Sequence, residues 1–203
     1  ETATQALVLV PTRELALQVA GEAELLGSTT GVRVTAVYGG VGYRAQLDAF
    51  KAGAHIVVGT PGRILDHLLR RSLSLKNLRY LVFDEADHML SMGFYPDMRR
   101  VKSYLPEQPI STYMFSATFP PQVMRLTGQF MRDPGFINLS SDHIHVTETE
   151  HVFYTAPGMD KDRSLVRIIE VENPQSAIIF CNTKVHVEYV ATVLQRFGYD
   201  ADI

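Results

Sequence analysis

The chain has 203 residues, 46% of them hydrophobic, with a mean hydropathy near zero and 19 Lys and Arg against 22 Asp and Glu, a formal net charge of −3. That is apolar material for one large domain or one and a half typical ones, and it excludes a protein that holds nucleic acid through a strongly basic global field. The single cysteine, Cys181, excludes an internal disulfide framework and a cysteine-based zinc cluster; no apolar run approaches the roughly 20 residues that span a bilayer, so the reading is a soluble, cytoplasmic chain in a reducing compartment.

In chain order, short apolar runs alternate with helix-length amphipathic stretches, the pattern of crossover units around a mostly parallel sheet. Strands are predicted at Ala6–Val10, Val34–Tyr38, His55–Val58, Tyr80–Phe83, Thr112–Phe115 and Phe136–Leu139. Several are continuous Val, Leu and Ile, as in strands covered on both faces. Between them, helices are predicted from Leu15, Val19, Leu25 and Leu26 after a Thr12 cap, from Ile64, Leu65, Leu68 and Leu69 after Pro61, and from Met98, Val101 and Leu105 after Pro96. Met89, Met92 and Met98 read as core filling. Polar, aperiodic text over 141–150 reads as a linker. The pattern then restarts with strand His151–Thr155, helix Asp162–Val171, strand Ala177–Cys181 and helix Lys184–Phe197.

Charge supports two units: residues 1–140 carry 14 basic and 12 acidic side chains (+2), and 141–203 carry 5 and 10 (−5). Leu7–Val10 with Pro11, Thr12 and Arg13 echoes Ile178–Cys181 with Asn182, Thr183 and Lys184, each an apolar run, a threonine cap and a basic first turn. The chain opens on Glu1 just before a predicted strand and stops at Ile203 in what reads as another, so it is expected to be a piece of something longer.

The strongest local signal is Leu81-Val82-Phe83-Asp84-Glu85-Ala86-Asp87. An apolar strand delivers carboxylates at its carboxyl end, where open parallel sheets bind ligands. One carboxylate there can hold Mg²⁺ through water, and its neighbour can orient and deprotonate a water attacking a γ-phosphate. The plainer alternative is an acidic helix start favoured by the helix dipole. Pro11, Thr12 and Arg13 follow the first predicted strand, Gly39 and Gly40 the second, Thr60, Pro61, Gly62 and Arg63 the third, and Ser116, Ala117 and Thr118 the fifth. All lie at carboxyl ends and can line one rim. Each glycine alone would be an ordinary turn, and Ser116 alone a helix cap before Pro120.

With these pieces together the chain resembles the DEAD-box family of ATP-dependent RNA helicases, whose naming tetrad stands here at Asp84–Asp87. The resemblance covers essentially the whole chain in the family's order. It implies most of a first RecA-like α/β domain (1–140), a linker (141–150) and the start of a second RecA-like domain (151–203). It implies ATP and Mg²⁺ as cofactors and RNA as partner. Asp84 and Glu85 would bind the nucleotide, Asp84 holding Mg²⁺ through water and Glu85 activating the hydrolytic water. Asp87 with Ser116 and Thr118 would couple the nucleotide site to strand separation.

Pro11, Thr12, Arg13, Gly39, Gly40, Thr60, Pro61, Gly62 and Arg63 would be RNA-backbone contacts, a job suited to amide donors at helix N-termini and to arginines, and one that reads no base. Phe180, Asn182 and Thr183 match a second-domain motif. The sequence departs from the family in having no Gly-x-x-x-x-Gly-Lys-Ser/Thr phosphate loop and none of the second domain's later arginines. The intact protein is therefore expected to unwind short RNA duplexes, and these 203 residues alone to be inactive. A non-catalytic RNA clamp and a different nucleic-acid translocase on the same core are the alternatives.

Overall fold

The structure, a computed structural model, describes residues 4–139, 149–156, 158 and 160–203. They fall into two compact units, 1–137 and 138–203. In the first, elements run β1 (Ala6–Leu9), α1 (Arg13–Gly27), β2 (Val34–Val37), α2 (Arg44–Ala52), β3 (Ile56–Gly59), α3 (Pro61–Leu69), β4 (Tyr80–Phe83), α4 (Ala86–Ser91), α5 (Tyr95–Lys102), β5 (Ser111–Met114) and α6 (Pro121–Phe130).

The five strands form one parallel sheet in the order β2-β3-β1-β4-β5. On one face Leu7, Leu9, Val57, Leu81 and Phe83 are fully buried; on the other Val58 is, with its neighbours Val8 and Val82 half-buried. Continuous apolar strands are what such double coverage demands. Helices α3, α4, α5 and α6 contribute Ile64, Leu68, Met89, Met98, Val101, Val123 and Leu126 to the larger core cluster. Ala16 and Ala20 of α1 close a smaller cluster with Val10 and Val58.

The register decides where function can sit. Leu9 pairs with both Gly59 and Phe83, Val37 with Gly59, and Phe83 with Met114, so neighbouring strands all end level. Five loops therefore leave the sheet from one edge at one height. Gly59 is required there, because a Cβ on it would lie 2.3 Å from the Val37 carbonyl oxygen and 2.9 Å from Ile64 Cδ1.

Behind this edge lie buried polar side chains. His67 is fully buried and Gln46 is 4% exposed. His67 Nε2 meets Gln46 Oε1 and its Nδ1 meets Ser72 Oγ, each at 2.8 Å, while Phe50 packs edge-on against the ring at 4.9 Å. Burial, reinforced by the charge of Arg63, pushes the imidazole pKa below its ordinary 6.5.

Several expectations need correction. Residues 136–139, 151–155 and 177–181 are not strands, although they are apolar. A strand exists through its ladder to a neighbour, and among the described residues none lies alongside them: Leu139, Phe153 and Phe180 are 90%, 90% and 92% exposed. Leu25 and Leu26 of α1 also face solvent rather than the core. The 15-residue helix runs about 22 Å beside strands only about 13 Å long, so its last turn passes the sheet. Met92 is 48% exposed, unlike Met89 and Met98. The expected linker lies mostly outside the described residues, in 141–148.

The second unit contains α7 (Lys161–Glu172) and α8 (Lys184–Arg196), whose buried residues are Val166 and Leu194. They border a cavity of about 420 Å³ lined by Ile179, Cys181, Val190 and Leu194 among others. The threonine echo holds in detail. Thr12 Oγ1 accepts from the Leu15 amide and Thr183 Oγ1 from the His186 amide, each at 3.2 Å, so both cap a helix in the same way.

Two outcomes follow for the first unit. Gly59→Ala lowers stability by about 1–3 kcal/mol, because backbone and not a mobile side chain fills the space; an unchanged denaturant midpoint would show that the strands yield. For His67, the unfolded chain binds more protons than the folded one below an ordinary histidine pKa. Stability is therefore complete above about pH 6.5 and falls as pH drops through the window beneath it. Thermal melting from pH 7.5 to 5.5 should fall in the wild type and flatten in His67→Asn, and equal slopes would contradict the assignment.

Candidate nucleotide and nucleic-acid rim

At the end of β4 the backbone is pinned on both sides. The Asp84 amide donates to the Leu9 carbonyl at 2.9 Å and the Ala86 amide to the Phe115 carbonyl at 3.0 Å. Between them Glu85 adopts φ 50°, ψ 53°, a left-handed conformation that a non-glycine residue holds only where its surroundings over-determine it. The kink turns the strand at once into α4 and leaves the Glu85 side chain exposed at the edge.

Asp84 is half-buried, and that burial raises its carboxyl pKa above the ordinary value, opposed by the Glu85 amide that donates to Oδ1 at 3.0 Å. Glu85 Oε2 lies 2.9 Å from His88 Nδ1, one helical turn on, so the carboxylate is oriented through one oxygen. His88 is exposed, and its three-residue spacing from Glu85 is the signal in the sequence for the contact.

Asp87 ties the ends of β4 and β5 together. Its Oδ2 accepts from the Thr118 hydroxyl at 2.7 Å and the Thr118 amide at 3.0 Å, and its own amide donates to Ser116 Oγ at 3.2 Å. Ser116 Oγ in turn donates to the Thr118 carbonyl at 2.8 Å. Burial raises the Asp87 pKa, but the hydroxyls of Thr118 and Ser116 and the amides of Thr118 and His88 outweigh it and hold the carboxyl below its ordinary range. Ser116 does not cap α6, whose first turn follows Pro120 without a side-chain cap.

On the other side of the edge, Pro11 and Thr12 lead into α1, and the Arg13 guanidinium stands 5.0 Å from the centre of the Tyr38 ring. Gly39 and Gly40 follow β2; Gly40 has φ +77°, and a Cβ on either would meet nothing within 4 Å. Thr60 and Pro61 open α3, followed by Gly62 and Arg63. Arg63 is not simply presented to solvent. It donates to the Val41 carbonyl at 2.7 Å and to Gln46 Oε1 at 3.2 Å, and lies 4.4 Å from the Tyr43 ring centre. Tyr43 also has Arg70 at 4.4 Å and donates to Asp66 at 2.5 Å. Gln46, Tyr43 and His67 were not singled out from sequence, since nothing in the text marks a glutamine in a polar helix as buried.

The sheet order sorts these loops. β2, β3 and β1 are contiguous and carry the glycine and arginine corners; β4 and β5 carry the acidic and hydroxyl corners. Phe180, Asn182 and Thr183 belong to the second unit, where Phe180 is exposed and Thr183 caps α8.

The donor set at Asp84 suits a hard cation, being carboxylate oxygen at a desolvated site. Among the described residues no group of three or more His, Cys, Asp or Glu side chains could hold a metal by itself. A divalent ion would therefore have to bring most of its ligands as water and phosphate oxygens.

A family model described as DEAD/DEAH box helicase matches residues 1–126. The ATP-dependent RNA helicase DeaD of Escherichia coli strain K12 is 44% identical over 200 residues, which are 98% of this chain and 32% of that protein. The ATP-dependent RNA helicase DbpA of Bacillus subtilis strain 168 is 40% identical over 202 residues, 100% of this chain and 42% of that protein. A crystal structure of a DEAD box protein from Methanococcus jannaschii superposes with a TM-score of 0.65 at 34% identity, covering 97% of this chain and 52% of that one. The chain thus spans about a third to two fifths of the curated relatives' length. Its helix-flanked parallel sheet is the RecA-like arrangement of that structural neighbour. On the family match, and on relatives aligned over nearly its whole length, the chain belongs to the DEAD/DEAH box helicase family.

Proposed function

We propose that this chain supplies the rim of an ATP-driven RNA helicase, in which nucleotide and RNA backbone occupy neighbouring grooves at the carboxyl edge of one sheet. The observation that carries this reading is the level edge itself. Its contiguous β2-β3-β1 loops are rich in glycine and arginine, and its β4-β5 loops in carboxylates and hydroxyls. Residues 1–140 and 151–203 would act as two RecA-like units joined by 141–150.

In this reading Asp84 faces the nucleotide, holding Mg²⁺ through water; the bound ion would offset phosphate charge. Glu85, held out by its left-handed backbone and oriented by His88, orients and accepts a proton from the attacking water. Asp87 passes a change at β4 to the β5 loop through Thr118, whose hydroxyl satisfies its carboxylate without adding charge, and through its own amide, which donates to Ser116.

On the nucleic-acid side, the exposed Gly39–Gly40 turn and the starts of α1 and α3 offer amide donors, and Arg13 and Arg63 offer charge. Such contacts would not discriminate bases, and they need no net positive charge on the chain. Of the second unit's residues, Asn182 and Thr183, and less directly Phe180, would contribute interface or backbone contacts.

The 203 residues contain no phosphate loop, and arginine fingers alone are worth about 10³ to 10⁵ in rate, so the chain by itself should show no RNA-stimulated hydrolysis. In a protein extending over the length of its relatives, Glu85→Gln should lower RNA-stimulated ATP turnover by about 10² to 10⁴ while leaving equilibrium binding of ATP and RNA in place. Undiminished steady-state hydrolysis by that variant would refute Glu85 as the base. RNA binding by the parent protein without any hydrolysis would favour a clamp over an enzyme.

A further inference from the structure

The turn after β2 leaves the sheet at Val37 and is then held from behind by side chains. Gln46 Nε2 donates to the Tyr38 carbonyl at 3.1 Å, and Arg63 donates to the Val41 carbonyl at 2.7 Å. The two holds are themselves linked, because Gln46 Oε1 accepts from Arg63 at 3.2 Å and faces His67 Nε2 at 2.8 Å.

The partners fix the chemistry. Arginine only donates and a carbonyl only accepts, so the Gln46 amide has one possible orientation. Its oxygen then requires the His67 proton on Nε2, with Nδ1 accepting from the Ser72 hydroxyl. A neutral imidazole suits this arrangement, and burial beside Arg63 favours it.

A 4%-exposed amide is a costly core filler unless its hydrogen-bonding groups are used. Here its bonds reach the β2 turn, the first turn of α3 and the ring behind them. They engage two segments that come from different strands and that both carry rim residues.

We propose that Gln46 is a positioning residue for nucleic-acid backbone binding: one buried amide sets the Gly39–Gly40 turn and the Arg63 guanidinium at a fixed separation, so that both meet phosphates of the same strand. His67 keeps that amide in register. The inference rests on the reading of this rim as an RNA surface. It adds that the grip is set by a residue that does not touch the RNA.

The test measures binding of fluorescent oligo-U and oligo-A of equal length to the 203-residue chain over a range of salt. The wild type is compared with Gln46→Met, Arg63→Lys, the double variant and Gln46→Glu. Gln46→Met should weaken both oligonucleotides about tenfold. The double variant should be no weaker than the sum of singles predicts, and measurably less than additive, because each single change already breaks the bond between Gln46 and Arg63. Gln46→Glu keeps both acceptor bonds but neutralises Arg63, so its plot of log affinity against log salt should flatten by about one counterion.

Affinities and slopes equal to wild type in both Gln46 variants, or strict additivity in the double, would overturn the proposal. Should Gln46→Met lose its folded circular-dichroism spectrum, the Gln46→Glu slope decides alone. A loss confined to one oligonucleotide would contradict backbone recognition. A wild-type chain that binds neither oligonucleotide overturns the RNA reading of the rim, and this inference with it; wild-type binding that the variants leave intact overturns this inference only.

Discussion

Parallel pairing in level register is the constraint on which the rest depends. In a parallel sheet every strand points its carboxyl end the same way, and here neighbouring strands stop at paired residues: Val37 with Gly59, Gly59 with Leu9, Leu9 with Phe83 and Phe83 with Met114. Five loops, far apart in sequence, are thereby brought to one edge, with neighbours about 4.8 Å apart. No side-chain interaction is needed to gather them. The ladder does so, and the apolar content of the strands pays for the ladder by burying one sheet face fully and the other in part.

What the side chains add is rigidity, and they add it differently on the two halves. Around β4 and β5 it is a carboxylate satisfied by the Thr118 hydroxyl and amide, with the Asp87 amide bridging to Ser116. Around β2 and β3 it is a buried amide and imidazole, with Gln46 and His67 behind the turn and Arg63 tied to it. The first link is exposed to water at the edge. The second is dry and has few alternative partners, which makes it a fixture rather than a moving part.

The sheet was legible because its strands are short apolar runs bounded by turn residues, and their carboxyl-end corners could be read directly behind them. Boundaries shifted by a residue at β1, β2, β3 and β5. The same rule failed at 136–139, 151–155 and 177–181, since apolar content creates demand for a partner strand without supplying one. Helix α2 escaped notice because its interior contact is Gln46, a polar residue, and α1 was read with Leu25 and Leu26 inside because period alone does not say where the sheet beneath a helix ends. The left-handed Glu85 was likewise invisible: its backbone is forced by bonds to Leu9 and Phe115, residues distant in sequence.

The central claim is that one edge is divided into a nucleic-acid half and a nucleotide half. Amide hydrogen exchange on the 203-residue chain, with and without saturating oligo-U, tests it most directly. The account predicts slowed exchange in three loops together, those around 12–13, 38–42 and 60–63, with little change in 84–87. Protection confined to a single loop, or appearing instead on the amino-terminal edge of the sheet, would contradict it.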